Sequence, residues 1–273
     1  MNTRMTLRKI FAFFSRDIAI AKTYRGVFIL ELFEALFGVA SFYYLSRFVE
    51  SAQLRKELPQ GSSYFAFALV GFAFFDYLSV SISAFDSSIE SARHNRTLEA
   101  LLVTQTPLWL MLTGSAIYPF VLFVIRMVVY IAWGVFLFGF PLQSVNWFGA
   151  ALVLGASILS LVGFGVFSAA YLILFKRGNP AKWLIIGLSG LVGGLMYPVS
   201  ILPRPLQILA RLIPVSYSLD GMRAALLGGS GLRELAPSIG ALLLFAAVLI
   251  PVSFAFFSWA VRRTKITGTL THL

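Results

Sequence analysis

The chain of 273 residues contains no cysteine and only two histidines, His94 and His272. The absence of cysteine excludes disulfides, thiolate metal sites and cysteine nucleophiles, and two histidines argue against a histidine-based metal centre. Charged residues make up only 12% of the chain, well below the share of about a quarter that is usual in soluble domains. The composition therefore excludes an ordinary water-soluble domain.

Hydrophobic residues make up 59% of the chain and its mean hydropathy is +0.85, which indicates an integral membrane protein. The net charge of +11 could indicate a nucleic-acid partner, but the basic residues lie in short clusters beside apolar runs. In such positions they orient membrane spans and contact anionic lipid. We therefore predict contact with membrane lipid and no nucleic-acid partner.

Six apolar runs of about 20 residues are long enough to cross a hydrocarbon core about 30 Å thick as helices. Because lipid cannot hydrogen-bond an exposed backbone, we predict an all-α domain of six transmembrane helices over residues 27–273. Residues 1–26 place apolar side chains at three-and-four spacing among basic ones, which predicts an amphipathic interfacial helix. The six predicted spans lie near 27–49, 64–86, 110–139, 148–175, 183–202 and 238–261.

The distribution of basic residues predicts the orientation of these spans. Fourteen lysines and arginines fall on the side of the two termini and seven on the other side, with Arg126 inside a span. Both termini are therefore predicted to be cytoplasmic. On the outer side, the pieces 205–214 and 216–229 are apolar but too short to span, so we predict re-entrant or surface helices there.

Glycines crowd the fifth predicted span. Gly190 and Gly194 have the small-xxx-small spacing that lets two helix backbones approach closely. The spacing is compatible with a seam between two copies of the chain and with a contact inside one copy, and both interpretations stay open.

Four ionisable residues, Glu31, Glu34, Asp76 and Arg126, fall inside predicted spans, where charge is costly. Asp76 and Arg126 lie at similar depth in antiparallel spans, which predicts either a charge pair that fixes helix packing or a polar element of a translocation path. Glu31 and Glu34 share one helix face. They could turn toward basic groups at the cytoplasmic surface, contact a cationic substrate or relay protons.

The connection between the second and third predicted spans is short, charged and helix-prone, and it includes the sequence HNRTLEALLVT at 94–104. Ser87 and Glu90 have the pattern of a capping box, and Asn95 or Thr97 can cap a second short helix that ends near Thr104. We therefore predict an ordered cytoplasmic segment rather than a slack linker.

Leu98, Leu101 and Leu102 would be exposed on that second helix. Exposed apolar side chains of this kind require a partner surface, although the alternative remains that they rest on the bilayer. The chain has no G-x-x-x-x-G-K-[ST] phosphate loop, no paired-histidine motif and no G-x-S-x-G motif, so we predict neither an ATP site nor a catalytic residue in it.

Two groups of residues resemble motifs of type 2 ATP-binding-cassette (ABC) exporter permeases. The first is Thr97-Leu98-Glu99-x-Leu101-Leu102-x-Thr104 with the following Leu108, Trp109 and Gly114. The second, before the last span, comprises Tyr197, Pro198, Ile201, Leu202, Pro203, Leu206, Pro214, Tyr217, Asp220, Arg223 and Gly228.

The resemblance implies a permease homodimer that engages two copies of a separate cytoplasmic ATPase. ATP and Mg would bind to that partner, with no cofactor on this chain, and the location would be the inner membrane of a bacterium or archaeon. The exported substrate would be a drug, a lipid or a lipid-linked glycan. The residues that would contact the ATPase, in or next to a coupling helix, are Glu90, Arg93, Thr97, Leu98, Glu99, Leu101 and Leu102.

The resemblance also marks outer-loop residues, namely Pro198, Pro203, Pro214, Tyr217, Asp220 and Arg223. A second interpretation is a proton- or ion-coupled secondary transporter that works without an ATPase, with Glu31, Glu34 and Asp76 as its relay. Such carriers commonly show internal repeats, and no repeat is evident in this sequence.

Overall fold

A computed structural model describes residues 3–23, 25–49, 58, 62–94, 108–140, 145–175 and 179–266. Within these residues the fold is all-helical and contains no strand. The helices, in chain order, are α1 (Thr3–Thr23), α2 (Arg25–Val49), α3 (Tyr64–His94), α4 (Leu108–Phe138), α5 (Trp147–Phe175), α6 (Pro180–Val192), α7 (Arg204–Arg211), α8 (Pro214–Leu227) and α9 (Leu232–Ile266).

Five helices of the described chain are long and apolar enough to cross a membrane. Their apolar stretches are Ile29–Val49 in α2, Tyr64–Ser87 in α3, Leu112–Phe138 in α4, Trp147–Phe175 in α5 and Leu232–Thr264 in α9. They coincide with the first four and the last of the predicted spans. Hydropathy succeeds here because each run is long and carries few charges.

The fifth predicted span, 183–202, is wrong as a continuous helix. Helix α6 has only 13 residues and ends at Val192. Gly193 follows, and Gly194 adopts a left-handed φ of 80° that a residue without a Cβ reaches at no steric cost. The chain then forms a short 3₁₀ turn, Val199–Ile201, which precedes α7 and α8. Hydropathy cannot register a helix that stops within an apolar run.

Helix α6 nevertheless lies antiparallel to α3 along most of its length. Asn179, before the first turn of α6, contacts Asp86 of α3, and Leu195, after its last turn, packs against Gly71. Between these points a Cβ added at Gly190 would lie 3.5 Å from the ring of Phe75. Gly190 therefore faces a helix of its own chain.

The predicted pairing of Gly190 with Gly194 on one helix face is wrong, because Gly194 lies beyond the end of the helix. Close helix approach occurs instead on α5. A Cβ added at Gly163 would lie 2.6 Å from Cβ of Leu249 in α9, and one added at Gly165 would lie 2.6 Å from the carbonyl oxygen of Ser81 in α3. Small residues thus let α5 pack centrally in the bundle.

The buried core has two main parts. The larger surrounds the aromatic side chains of Phe74, Tyr77 and Phe123, between α3 and α4. The smaller lies at the end of the bundle where α3 ends and α4 begins, which we call the His94 end. We call the opposite end, where α3 begins, the Tyr64 end. Phe13 of α1 packs on the smaller core, so α1 is held against the bundle.

The predicted orientation can be tested with two single cysteines, because the native chain has none. Glu90→Cys lies on an exposed position near the end of α3, and Gly231→Cys replaces an exposed glycine at which an added Cβ meets nothing within 4 Å. An impermeant thiol reagent applied to intact cells should label Gly231→Cys alone. In inverted vesicles it should label Glu90→Cys alone. Labelling of both variants from the same side would contradict the orientation.

Candidate functional site

Three helices bring intramembrane charges to one place, which we call the Arg126 cluster (Glu31, Asp76, Arg126 and Tyr130). Nη2 of Arg126 in α4 lies 2.8 Å from Oε1 of Glu31 in α2, and its Nη1 lies 3.5 Å from Oδ1 of Asp76 in α3. The hydroxyl of Tyr130 donates to Oδ2 of Asp76 at 3.0 Å. The structure thus brings together Asp76 and Arg126, whose depths match in the sequence.

Glu31 joins this cluster instead of turning toward basic groups at the cytoplasmic surface, as its shallow position in the sequence favoured. The position of Glu31 along its predicted span did not reveal this contact, because only the packing of α2, α3 and α4 determines where these helices cross. Glu34, one turn further along α2, is exposed. The side chains of Glu31, Asp76 and Arg126 are 25%, 19% and 28% exposed, so the cluster opens partly onto the surface of the bundle.

The Arg126 cluster holds two carboxylates and one guanidinium, so removing the guanidinium costs more than removing one carboxylate. We expect Arg126→Gln to destabilise the fold by about 2 kcal/mol or more, because two carboxylates then remain near each other in a medium of low dielectric. Partial exposure reduces this cost below that of a fully buried pair. Glu31→Gln should cost less, since Asp76 and Arg126 remain paired.

Unfolding of the detergent-solubilised protein measures both changes. Asp76→Asn combined with Arg126→Gln should recover part of the loss that Arg126→Gln causes alone. Strictly additive losses in this double-mutant cycle would mean that Asp76 and Arg126 are not energetically coupled.

A second charged side chain, Arg223 of α8, is 3% exposed and closes the end of α6. Its Nη1 donates to the carbonyl oxygen of Gly194 at 2.7 Å, and its Nη2 donates to those of Leu195 at 2.9 Å and Phe67 at 3.1 Å. The guanidinium carbon lies 3.4 Å from the centre of the Phe67 ring, in a cation–π contact. We call these contacts the Arg223 clamp.

The Arg223 clamp supplies donors to backbone carbonyls just beyond the end of α6. Gly194 and Leu195 follow the last residue of α6, in irregular backbone where no helical turn provides donors. The C-terminal end of a helix also carries partial negative charge, which favours a cation nearby. Helix α8 is not one of the spanning helices. Burial lowers the pKa of Arg223 to about 9, while the nearby Asp220 and Tyr64 act to raise this pKa. That value leaves the guanidinium charged at neutral pH.

The other predicted outer-loop residues have clear local positions. Pro198 precedes the 3₁₀ turn, Pro203 precedes α7, and Pro214 is the first residue of α8. These are positions in which a missing N–H costs nothing. Tyr217 packs its ring against Phe245 of α9 at a centroid distance of 6.0 Å, and Asp220 is exposed on α8.

Gly71 of α3 provides a test of this packing. A Cβ added at Gly71 would overlap the carbonyl oxygen of Leu195, which is backbone and cannot swing aside. We expect Gly71→Ala to destabilise the fold by about 1–3 kcal/mol, although alanine is normally the better helix former. The matched control is Gly187→Ala in α6, where an added Cβ meets nothing within 4 Å. Thermal unfolding of both variants should place Gly187→Ala at or above the parent and Gly71→Ala below it.

A third polar group lies at the His94 end around Asp86, an ionisable residue near the predicted cytoplasmic end of its span, whose partners were not expected from the sequence. Asp86 of α3 is 3% exposed, and its Oδ2 accepts from Oγ of Ser168 and from Nδ2 of Asn179, both at 3.0 Å. Nζ of Lys182 lies 3.9 Å from the same oxygen. Asn179 is also the N-cap of α6, since its Oδ1 accepts from the backbone N–H of Lys182 at 3.0 Å. We call these contacts the Asp86 clamp.

A local signal for part of this clamp exists in the sequence. Asn179 followed by Pro180 is the combination of N-cap and first-turn proline that begins a helix. It predicts where α6 starts, but no spacing in the sequence connects it to Asp86, which lies 93 residues earlier. Among the residues that the structure describes, no group of three or more His, Asp or Glu side chains is placed to hold a metal ion.

The predicted coupling residues are only partly described. Glu90 is exposed near the end of α3, and Arg93 lies in its last turn. Helix α3 continues through Ser87, whose hydroxyl donates to the carbonyl oxygen of Ala84 at 3.3 Å, so the predicted capping box at Ser87 is wrong. The remaining coupling residues, Thr97, Leu98, Glu99, Leu101 and Leu102, lie outside the described residues, as does the second short helix predicted there.

Comparison with known proteins adds one finding. The family model described as ABC-2 family transporter protein matches residues 31–255, from the first turns of α2 into α9. No curated protein matches the chain.

Proposed function

Because the chain belongs to the ABC-2 transporter family and is therefore an ABC-2 type permease, we propose that it exports a hydrophobic or amphipathic substrate from the cytoplasm. The energy would come from ATP hydrolysed by a separate ATPase subunit. Two copies of that ATPase, with ATP and Mg, would bind a permease homodimer in the inner membrane of a bacterium or archaeon.

The observation that carries this proposal is the length of α3. Its 31 residues correspond to about 46 Å of helix, against a hydrocarbon core about 30 Å thick. The apolar stretch ends at Ser87, but the helix continues to His94 with Glu90 exposed. A rigid extension of a spanning helix leads directly into the segment 95–104. Force that reaches the end of α3 at His94 would therefore be transmitted along continuous helix to its membrane-embedded part.

The predicted orientation of the chain in the membrane follows from the number of membrane crossings. Five helices of the described chain have spanning length, and α6 would supply a sixth crossing. On α3, Asp86 contacts Asn179 at the start of α6, and Phe67 shares Arg223 with the residues after the end of α6. Asp86 and Phe67 are separated by about 28 Å of helix at 1.5 Å per residue. Six crossings place both termini on one side, and the basic residues favour the cytoplasm. The segment 95–104 would then face the ATPase.

The substrate class is argued from the surface around the Arg126 cluster. Helices α2 and α4, which carry Glu31 and Arg126, also expose apolar side chains elsewhere on their surfaces, among them Phe33, Phe37 and Val128. A small charged area on helices with apolar exposed positions suits a molecule that has both apolar and polar parts. Drugs, lipids and lipid-linked glycans all meet this description.

The alternative, a proton- or ion-coupled carrier without an ATPase, fits the cluster less well. Of its three relay residues, Glu31 and Asp76 are both ion-paired with Arg126, and Glu34 lies outside the cluster. The two functions also differ in one measurement. Transport by the carrier would stop when the ion gradient is collapsed, and transport by the exporter would stop when ATP is removed.

The segment 95–104, which we call the coupling segment, is tested by placing a charge among its apolar residues Leu98, Leu101 and Leu102. Leu101→Asp should leave the permease inserted but abolish ATPase binding and transport, because a charge in an apolar anchor pocket costs several kcal/mol. Leu101→Met is the matched control, since it keeps an apolar side chain of similar volume and should retain both activities. Copurification of the ATPase and ATP turnover in reconstituted vesicles are measured for each variant. Parental levels of both in Leu101→Asp would show that this segment is not the coupling element.

A further inference from the structure

We infer that α3 and α6 form a two-ended lever, held together by the Asp86 clamp at the His94 end and by the Arg223 clamp at the Tyr64 end. This inference rests on the proposed function, because it states how movement of the coupling segment would reach the opposite end of the bundle. In it, Asp86 is a positioning residue that contacts neither ATP nor the exported molecule.

The Asp86 clamp joins three helices at one carboxylate. Ser168 brings α5, and Asn179 brings the N-cap of α6, to within 3.0 Å of the same oxygen atom of Asp86. Asn179 also donates to Oγ and to the carbonyl oxygen of Ser168, at 2.7 and 3.2 Å. Asp86 precedes Glu90 by one helical turn, so it lies at the base of the extension that leads to the coupling segment.

The Arg223 clamp joins the other end of α6 to α3 and to α8. Its three acceptors are the carbonyl oxygens of Gly194 and Leu195, just after α6, and of Phe67 in α3. The two clamps also match the dipole of α6. A carboxylate lies at the positive, N-terminal end and a guanidinium at the negative, C-terminal end.

Between the clamps, one face of α6 is buried, with Ile186 in the larger core, and the other face is exposed. Trp183, Leu184, Leu188 and Leu191 are 73%, 62%, 37% and 56% exposed, and the contact with α3 passes through Gly190 and Phe75. Apolar packing therefore secures one face of α6, whereas the directed polar contacts lie at its two ends. Because apolar contacts are non-directional and hydrogen bonds are directional, we expect α6 to stay in register with α3 only while both clamps are intact.

The first test uses the permease alone and so does not depend on an ATPase. Spin labels at Glu90→Cys and Leu184→Cys report the distance between α3 and α6 by pulsed electron paramagnetic resonance. The parent should give a narrow distance distribution and Asp86→Leu a broad one. Asp86→Asn keeps an oxygen that can accept from Ser168 and Asn179, and should restore the narrow distribution. Glu234→Leu, which removes an exposed acid of α9, should leave the distance distribution as narrow as in the parent.

The second test uses the complex with the ATPase and two label pairs that share α9 as reference. Ser87→Cys with Arg262→Cys reports the His94 end, and Ile208→Cys with Leu232→Cys reports the Tyr64 end; all four positions are exposed. Trapping the ATPase with ATP and vanadate should shift both distances in the parent. In Asp86→Leu the shift at the His94 end should remain and the shift at the Tyr64 end should be lost. A merely structural role for Asp86 would not separate the two responses.

Asn179→Ala replaces Asp86→Leu if that variant does not fold, because it breaks the contact from the α6 side and leaves Asp86 bonded to Ser168. Three results would each overturn the lever. They are a broad distance distribution in the parent, a narrow distance distribution in Asp86→Leu, and a distance shift at the Tyr64 end that is retained in the clamp variant. Failure of any ATPase to bind would instead contradict the proposed function. The distance between α3 and α6 in the permease alone would then still support or overturn the clamp.

Discussion

The end of α6 imposes the constraint on which the Tyr64 end of the bundle depends. Backbone that leaves a helix inside the bundle has carbonyl groups that need donors from elsewhere in the protein. Arg223 donates to Gly194 and Leu195, and also to Phe67 of α3, and it does so from α8, a helix that comes later in the chain. The break in α6, the position of α8 and the absence of a side chain at Gly71 therefore depend on one another.

The few charges of the membrane-embedded part follow a similar rule. Arg126 is shared by Glu31 and Asp76, and the carboxylate of Asp86 accepts from Ser168 and Asn179 near Lys182. Each arrangement links helices that are far apart in sequence, because an ion at membrane depth is stable only beside a partner. The charges thus act as specific joints in a bundle whose two main cores are apolar.

This combination of polar joints and apolar contacts between helices suits a protein that must change conformation. Apolar contacts between helices are non-directional, whereas a set of directed hydrogen bonds keeps two elements in register. If ATP-driven force enters at the extension of α3, the joints decide which helices move together. The Asp86 and Arg223 clamps would make α6 part of the element that carries the force. The Arg126 cluster would tie α2 and α4 to the same helix.

Sequence alone was sufficient for the all-helical class and for five of the spans, because long apolar runs with few charges have no other solution in a membrane. The motifs also identified the family, and matching depths placed Asp76 beside Arg126. Depth did not identify Glu31 as a second partner of Arg126. The break at Gly193 and Gly194 was hidden in an apolar run, and the partners of Asp86 and Arg223 were not expected. These features depend on contacts between residues that the chain separates by 28 to 156 positions, which only the packing of the helices brings together.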